Sequence, residues 1–402
     1  MINLEVPKKF RVLAGQAHQV AEEVLRPNSR KYDLAEHEYP KELDMLAALI
    51  DGMNDGSDLG GTGAAGVSRS QNGDGANRNG SNMSTVLSVI EMCWGDVGLL
   101  LSMPGQGLGN SAIASVADDD QHKRFDGRWA AMAITEPEAG SDSAAIRTTA
   151  VLDGDEYVLN GEKIYVTAGE RADLVVVWAT LDREQGRAAI KSFVVERSNP
   201  GLILERLEHK LGIRASDTAA FRLEDCRVPK ENLLGTPDID AKKSFAGAMQ
   251  TFDNTRPLVA AMAVGLARAC IEETTRLMKA AGVVVDHDRP TANQPAAAAE
   301  LLAMEADYEV ARLLTLQAAW MADNGQPNSL QASLAKAKAG RSCVDIALRC
   351  VRLAGASGYS EELLLEKWAR DAKILDIFEG TQQIQLLIIA RQLLGLTSAQ
   401  LK

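Results

Sequence analysis

The sequence predicts a multidomain α+β protein with an N-terminal helical domain, a middle antiparallel β-domain and a C-terminal four-helix bundle. Three observations carry this. Apolar residues recur at helical spacing from the N-terminus, the pattern turns to strand-like alternation at Arg128, and after Asn232 no strand-like run returns. The expected divisions are 1–127, 128–236 and 237–402. At 402 residues the chain exceeds one ordinary core, so two or three packed regions are expected.

In the first region Phe10, Leu13, Ala14, His18, Ala21, Val24 and Leu25 share one helical face. Residues 41–50 give a second apolar stripe, so two helices are expected between Pro7 and Met53. Residues 54–83 break the pattern: Gly, Asn, Ser and Asp dominate, as in a long surface loop. Helical spacing resumes at Ser84 (Val86, Leu87, Ile90, Trp94) and continues through Leu101. A small-residue turn, Ser102–Asn110, then leads to a helix ending near Val116. In the middle region Asp153-Gly154 and Asn160-Gly161 stand between alternating runs and read as hairpin turns. Leu174–Leu181, Ala189–Glu196, Leu202–Leu207 and Ala219–Val228 are further strands. The last region reads as helices Phe245–Leu277, Ala296–Asp323, Leu330–Leu353 and one from Thr381, the pattern of an antiparallel bundle.

Composition removes several functions. A net charge of −12 argues against a nucleic-acid binder and against a dedicated anionic-membrane protein. The five cysteines are odd in number and lack CxxC spacing, which implies a reduced, cytoplasmic protein without a disulfide framework. The histidines (His18, His37, His122, His209, His287) are scattered, so no metal site is expected. The start, MINLEVPKKF, lacks the apolar run of a signal peptide, and no segment approaches the length of a membrane span.

Chemistry concentrates near the C-terminus, in ARDAKILDIFEGTQQIQLLIIARQLLG, Ala369–Gly395. After a charged lead-in and apolar Ile374, Leu375, Ile377 and Phe378 comes a lone acid, Glu379, then Gly380, Thr381 and a helical pattern. A carboxylate in apolar surroundings has its charged form disfavoured, and its pKa rises toward that of a general base. An acid that merely favours a helix N-terminus would give the same pattern. A second stretch, AITEPEAGSDSA (Ala133–Ala144), sets Pro and Gly beside hydroxyls. It reads either as a loop whose N–H groups and hydroxyls face an oxygen-rich ligand or as a polar turn before a strand.

Both stretches resemble the two signatures of the acyl-CoA dehydrogenase family, in the family's order, and the resemblance covers nearly the whole chain. It implies a helix–strand–helix fold of acyl-CoA dehydrogenase type. The activity it implies is FAD-dependent α,β-dehydrogenation of an acyl-CoA thioester to the trans-2-enoyl-CoA, with Glu379 as the α-proton base and flavin N5 as hydride acceptor. It assigns flavin contacts to Met132, Ile134, Thr135, Gly140, Ser141, Tyr165, Val166, Thr167, Thr381 and Gln383. It assigns substrate contacts to Ser141, Ser216, Phe252, Asp253, Arg256, Phe378 and Gly380. Met103–Leu108 would border the acyl pocket, although glycine-joined apolar helices there also read as plain core. Tyrosine replaces the family's usual tryptophan at Tyr165 and retains an aromatic face. One related subgroup carries its base beside the Arg256 position; here that neighbour is Thr255, which leaves Glu379 without a rival.

Two features depart from family homotetramers, in which a neighbouring subunit grips the ADP half of FAD. The Arg-x-x-Phe-Gly run is absent from MKAAGVVVDHDRPTANQP, and the Gln-x-x-Gly-Gly turn has become Arg352-Leu353-Ala354-Gly355-Ala356. The expected assembly is therefore an α2β2 heterotetramer, of actinobacterial type, with a paralogous subunit supplying the ADP-binding half. Electron transfer flavoprotein is the acceptor the resemblance implies. Alternatives are an acyl-CoA oxidase using oxygen, a family flavoenzyme acting on something other than a thioester, and a non-catalytic structural subunit.

Overall fold

The computed structural model describes residues 6–47, 79–105, 107–239, 246–397 and 400, with side chains of 246–254 outside the description. The chain opens with α1 (Arg11–Val20), which passes through a π-helical turn, Ala21–Leu25, into α2 (Arg26–Leu34). A short helical stretch, 42–47, follows where the second apolar stripe was expected. Most of the expected loop 54–83 lies outside the described residues; its last residues already belong to α3 (Ser81–Gly95). α4 (Val97–Leu101) is a separate helix because Asp96 breaks the run and caps the new one, accepting from the Leu99 N–H at 2.8 Å. α5 (Leu108–Val116) is followed by α6 (Asp119–Phe125), which the apolar pattern did not predict; an Asp118/Gln121 capping box starts it.

The middle region is one curled seven-stranded sheet: β1 (Ala130–Ala133), β2 (Thr149–Asp153), β3 (Glu156–Thr167), β4 (Leu174–Thr180), β5 (Ile190–Glu196), β6 (Leu202–Leu207) and β7 (Thr218–Pro229). The order is β1-β4-β2-β3-β7-β6, with β5 on β4. Most of the pairing is antiparallel as expected, but β1 runs parallel to β4. The β2–β3 hairpin lies within the long crossover that such a pair requires.

Asp153-Gly154 makes the expected hairpin turn, whereas Asn160-Gly161 does not. Gly161 lies inside β3 at a register shift against β7, with φ 153°, and a Cβ there would meet the Thr148 hydroxyl at 2.4 Å. The glycine serves close backbone approach rather than a turn.

Among the described residues six α-helices complete the fold: α7 (Ala246–Ala280), α8 (Ala296–Asp323), α9 (Ser329–Ala354), α10 (Ala356–Tyr359), α11 (Leu365–Ala372) and α12 (Gln382–Leu394). α7, α8, α9 and α12 form the expected bundle, and α3 packs across α7 and α8. Thr381 caps α12 and Gly395, at φ 65°, ends it. Among the described residues no helix is long and apolar enough to cross a membrane. All five cysteines are buried and free.

The three regions are knotted together just before Glu379. Arg370, on α11, donates to both Asp33 oxygens (2.9 and 2.6 Å) and to the Leu211 carbonyl at 3.0 Å. Buried Asp371 accepts from the Ile213 N–H at 2.5 Å. Buried Lys367 stands between Asp96 and Asp371, 2.6 Å from each. Gly212 permits the contact, since a Cβ there would fall 2.5 Å from the Arg370 backbone.

Candidate active site

α7 and the turn before α12 bring Thr255, Arg256 and Glu379 together. Pro257 fixes the backbone of α7 immediately after the first two, and both are buried. Glu379 and Gly380 occupy left-handed conformations, φ 56° and 90°, between a 3₁₀ turn at Lys373–Asp376 and the start of α12. That conformation is costly for glutamate. Three hydrogen bonds from two donors hold it: Lys336 Nζ reaches the Gly380 carbonyl at 2.7 Å, and Gln385 Nε2 reaches the Glu379 and Gly380 carbonyls, each at 3.1 Å.

The half-buried Glu379 carboxylate accepts a hydrogen bond from the Thr255 hydroxyl at 2.6 Å. It faces a narrow cavity of about 30 Å³ lined by Leu101, Leu108, Thr167, Leu258, Met262 and Phe378 among others. Burial pushes its pKa up, while the Thr255 hydroxyl, Arg256 and Lys336 pull it partly back. The result is a carboxyl able to exchange a proton with a bound molecule.

The second stretch folds around a buried ion pair. Lys163, fully buried on β3, donates to Glu136 Oε1 at 2.7 Å and to the Ile134 carbonyl at 3.2 Å. Burial pulls Lys163 down to about 8, against the opposing pull of Glu136. Glu136 also accepts from the Arg147 and Thr148 N–H groups, at 2.6 and 2.9 Å. The Ile164 N–H donates to the Thr135 carbonyl at 2.9 Å, tying this loop to β3 where its register on β7 shifts. There Tyr165, at φ 58°, presents an exposed ring.

The donor set along this path is neutral: hydroxyls of Thr135, Tyr165, Thr167 and Thr381, plus the N-terminal N–H groups of α12. Gln382 adds a buried side-chain oxygen without a hydrogen-bond partner. An exposed aromatic face, hydroxyls and a helix N-terminus fit a flavin ring with its diphosphate. A second cavity, about 170 Å³, is lined by Ala144, Ala145, Ile146, Arg147, Thr180, Arg183 and two further residues; Arg147 there pairs with Glu138 at 2.7 Å, and Arg183 donates to the Arg147 carbonyl at 2.7 Å.

Of the residues singled out in the sequence, Thr167, Phe378 and Glu379 line the first cavity, with Gly380 adjoining. Met132, Ile134 and Val166 are buried in the sheet region, and Thr135 and Thr381 are half-buried. Gly140, Ser141 and Gln383 are exposed. Ser216 is buried with an unpartnered hydroxyl, on the loop beside Lys210. Arg256 is buried next to Glu379 rather than on the surface. Phe252 and Asp253 lie on α7 where side chains are outside the description. Leu108 and Gly107, from the small-residue turn, line the cavity; Gly107 also allows the chain to approach β1, since a Cβ would sit 1.9 Å from the Ala130 carbonyl oxygen.

Lys336, Gln385 and Lys163 escaped the sequence reading. Lys336 is one of two lysines in an alanine-rich helical run, and Lys163 lies in an alternating strand, so spacing marked neither. The histidines were expected to be scattered, yet His37 and His209 converge on Glu36. Glu36 is already committed to His209 Nδ1 and the Lys210 N–H, both at 2.9 Å, with Arg214 also nearby. That arrangement reads as an ion-pair cluster. Arg352 is likewise engaged within the chain: it pairs with Glu300, as does Arg349 at 2.9 Å.

Comparison with known proteins places these features in context. Residues 131–226 match the model of the acyl-CoA dehydrogenase middle domain, and residues 245–394 that of the acyl-CoA dehydrogenase C-terminal domain. The mitochondrial short-chain specific acyl-CoA dehydrogenase of Rattus norvegicus is 33% identical over 396 residues, 98% of this chain and 92% of that protein. The solved butyryl-CoA dehydrogenase of Megasphaera elsdenii superposes with a TM-score of 0.81 at 29% identity, covering 98% of this chain and 100% of that one. A chain solved in work on the electron transferring flavoprotein of Acidaminococcus fermentans gives 0.81 at 30% identity, covering 98% of this chain and 99% of that one.

Proposed function

The chain belongs to the acyl-CoA dehydrogenase family of FAD-dependent enzymes, and we propose that Glu379 is the base that removes the α-proton of its acyl-CoA substrate as the trans-2-enoyl-CoA forms. The observation that carries this is the Glu379 carboxylate itself, raised in pKa by burial, aimed at an apolar cavity and held by the Thr255 hydroxyl. FAD, when bound, would supply the two-electron acceptor that the departing β-hydrogen requires.

The chain's own residues do the rest. The α-proton moves to the Glu379 carboxylate as the C–H pair becomes the new C=C bond. An α-C–H beside a thioester needs its carbonyl polarised by preorganised donors, worth several kcal/mol. The Glu379 N–H is the protein donor proposed for this, in a turn that Lys336 and Gln385 fix. Thr135, Ser141, Tyr165, Val166, Thr167, Thr381 and Gln383 would hold the flavin, with Met132, Ile134 and Gly140 shaping its bed. The narrow, leucine- and methionine-lined cavity and the short-chain relative together favour a short acyl chain.

Glu379→Gln should keep FAD and acyl-CoA binding yet lose nearly all turnover; wild-type turnover would sink the base assignment. Electron transfer flavoprotein is the proposed acceptor; peroxide formation without an external acceptor would mean an oxidase instead. The proposed assembly is an α2β2 heterotetramer in the cytoplasm. The altered Arg352–Ala356 turn supports it, as does the pairing of Arg352 with Glu300 inside the chain. An active, flavin-saturated homotetramer purified alone would refute that assembly. A colourless purified complex would favour the structural-subunit reading.

A further inference from the structure

We propose that Lys336 is a positioning residue for the reaction: from inside the bundle it clamps the Gly380 carbonyl and so fixes the aim of the neighbouring Glu379 carboxylate. The inference rests on Glu379 being the base. Lys336 lies on α9 with no exposed surface, and its ammonium meets the Gly380 carbonyl at 2.7 Å. Among the described residues it forms no ion pair, which is unusual for a buried lysine. Asp376, the carboxylate whose charge acts most on Lys336, pairs instead with Lys373 at 3.2 Å and Arg341 at 3.8 Å. The carbonyl that Lys336 holds belongs to a turn in two successive left-handed conformations, a shape that persists only when its surroundings impose it. Gln385 helps from the other side, but Lys336 is the charged member of the clamp.

A buried carbonyl needs a donor, and a neutral one would serve. An ammonium does more, because its field acts on the carboxylate next door. The charged groups facing this pair are Asp376 and Arg256 around Lys336, and Arg256 and Lys336 around Glu379. Burial pulls Lys336 down to about 8, so it remains mostly protonated at pH 7. A cation behind the base favours its ionised form and makes it ready to accept a proton.

The test compares Lys336→Met, Lys336→Gln and Glu379→Gln holoenzymes with wild type. Turnover is measured from about pH 5.5 to 9.5, and amide hydrogen exchange over the peptide spanning Glu379. Lys336→Met should lower kcat about ten- to a hundredfold with KM little changed, as expected when a reacting group loses its aim. The acid limb of kcat/KM should move to higher pH, and exchange near Glu379–Gly380 should rise. Lys336→Gln, a neutral donor, should restore exchange protection and much of kcat while leaving the acid limb displaced. Wild-type kcat and an unmoved acid limb in either flavin-loaded variant would overturn the proposal. If Glu379→Gln proves fully active, the base reading fails instead; if it is inactive while the Lys336 variants behave as wild type, only the role of Lys336 falls.

Discussion

Replacing Thr255 with valine keeps the side-chain volume and removes one hydroxyl, the group that donates to Glu379 at 2.6 Å. Thr255 is buried, so water has little access to take its place. A hydrogen bond to a charged group is worth about 1.5–3 kcal/mol, and about 1.4 kcal/mol corresponds to a factor of ten. The bond favours the ionised carboxylate, because Oε2 accepts it. Its loss therefore adds to the upward push of burial, and Glu379 holds its proton to higher pH. Turnover on the acid side should fall about ten- to a hundredfold, by the same 1.5–3 kcal/mol, and recover as pH rises past the displaced limb. The assay is kcat/KM against pH with a dye acceptor for wild type, Thr255→Val and Thr255→Ser, with flavin content measured on each. Serine should lie close to wild type. An acid limb identical in the valine variant and wild type would show that the hydroxyl does not tune the base.

Other consequences are equally direct. Lys163→Met leaves the Glu136 carboxylate buried without its cation, a situation that costs about 3–5 kcal/mol; a clear drop in Tm and looser flavin retention are expected, with partial recovery in Lys163→Met/Glu136→Gln. An unchanged Tm would contradict this. Gly161→Ala places a methyl against Thr148 and should destabilise by more than about 1 kcal/mol, read as a lower denaturation midpoint without change in the acid limb. Arg370→Met should weaken the fold in a pH-dependent way. Burial pushes Asp33 up, but the Arg370 hydrogen bonds, with Lys367 and Arg30, more than offset it and hold the carboxyl below its usual range. A depressed carboxyl contributes stability above its unfolded pKa and loses it as pH falls through the folded one. The gap between wild type and variant should thus be full at neutral pH and close in acid. A gap that widens in acid would refute the assignment.

Much of this protein was legible in its sequence because the relevant signals are local. Helical periodicity located α7, α8, α9 and α12 to within a few residues, and alternation located most strands. Glu379 stood out because an acid amid Ile377, Phe378 and Gly380 breaks an apolar pattern. What remained hidden depends on contacts between distant segments. Asn160-Gly161 carries the local signature of a turn, but its glycine answers to Thr148 in a neighbouring segment. Lys336 lies 44 residues before the carbonyl it holds, and Lys163 27 residues after the acid it pairs with. The α6 helix is marked in the sequence by its Asp118–Gln121 capping box, but its low apolar content leaves no periodic stripe. Parallel pairing of β1 with β4 could not be read from either strand, since alternation carries no direction.

The knot around α11 bears on how such a protein can be re-engineered or diversify. Arg370, Lys367 and Asp371 each have their complement in an earlier part of the chain, at Asp33, Asp96 and the Leu211–Ile213 loop. A chimaera that imports the C-terminal helices of a relative inherits one half of every one of these contacts. Productive recombination would then have to carry both halves together, so crossovers between β7 and α7 should survive only among parents that share the same complementary residues.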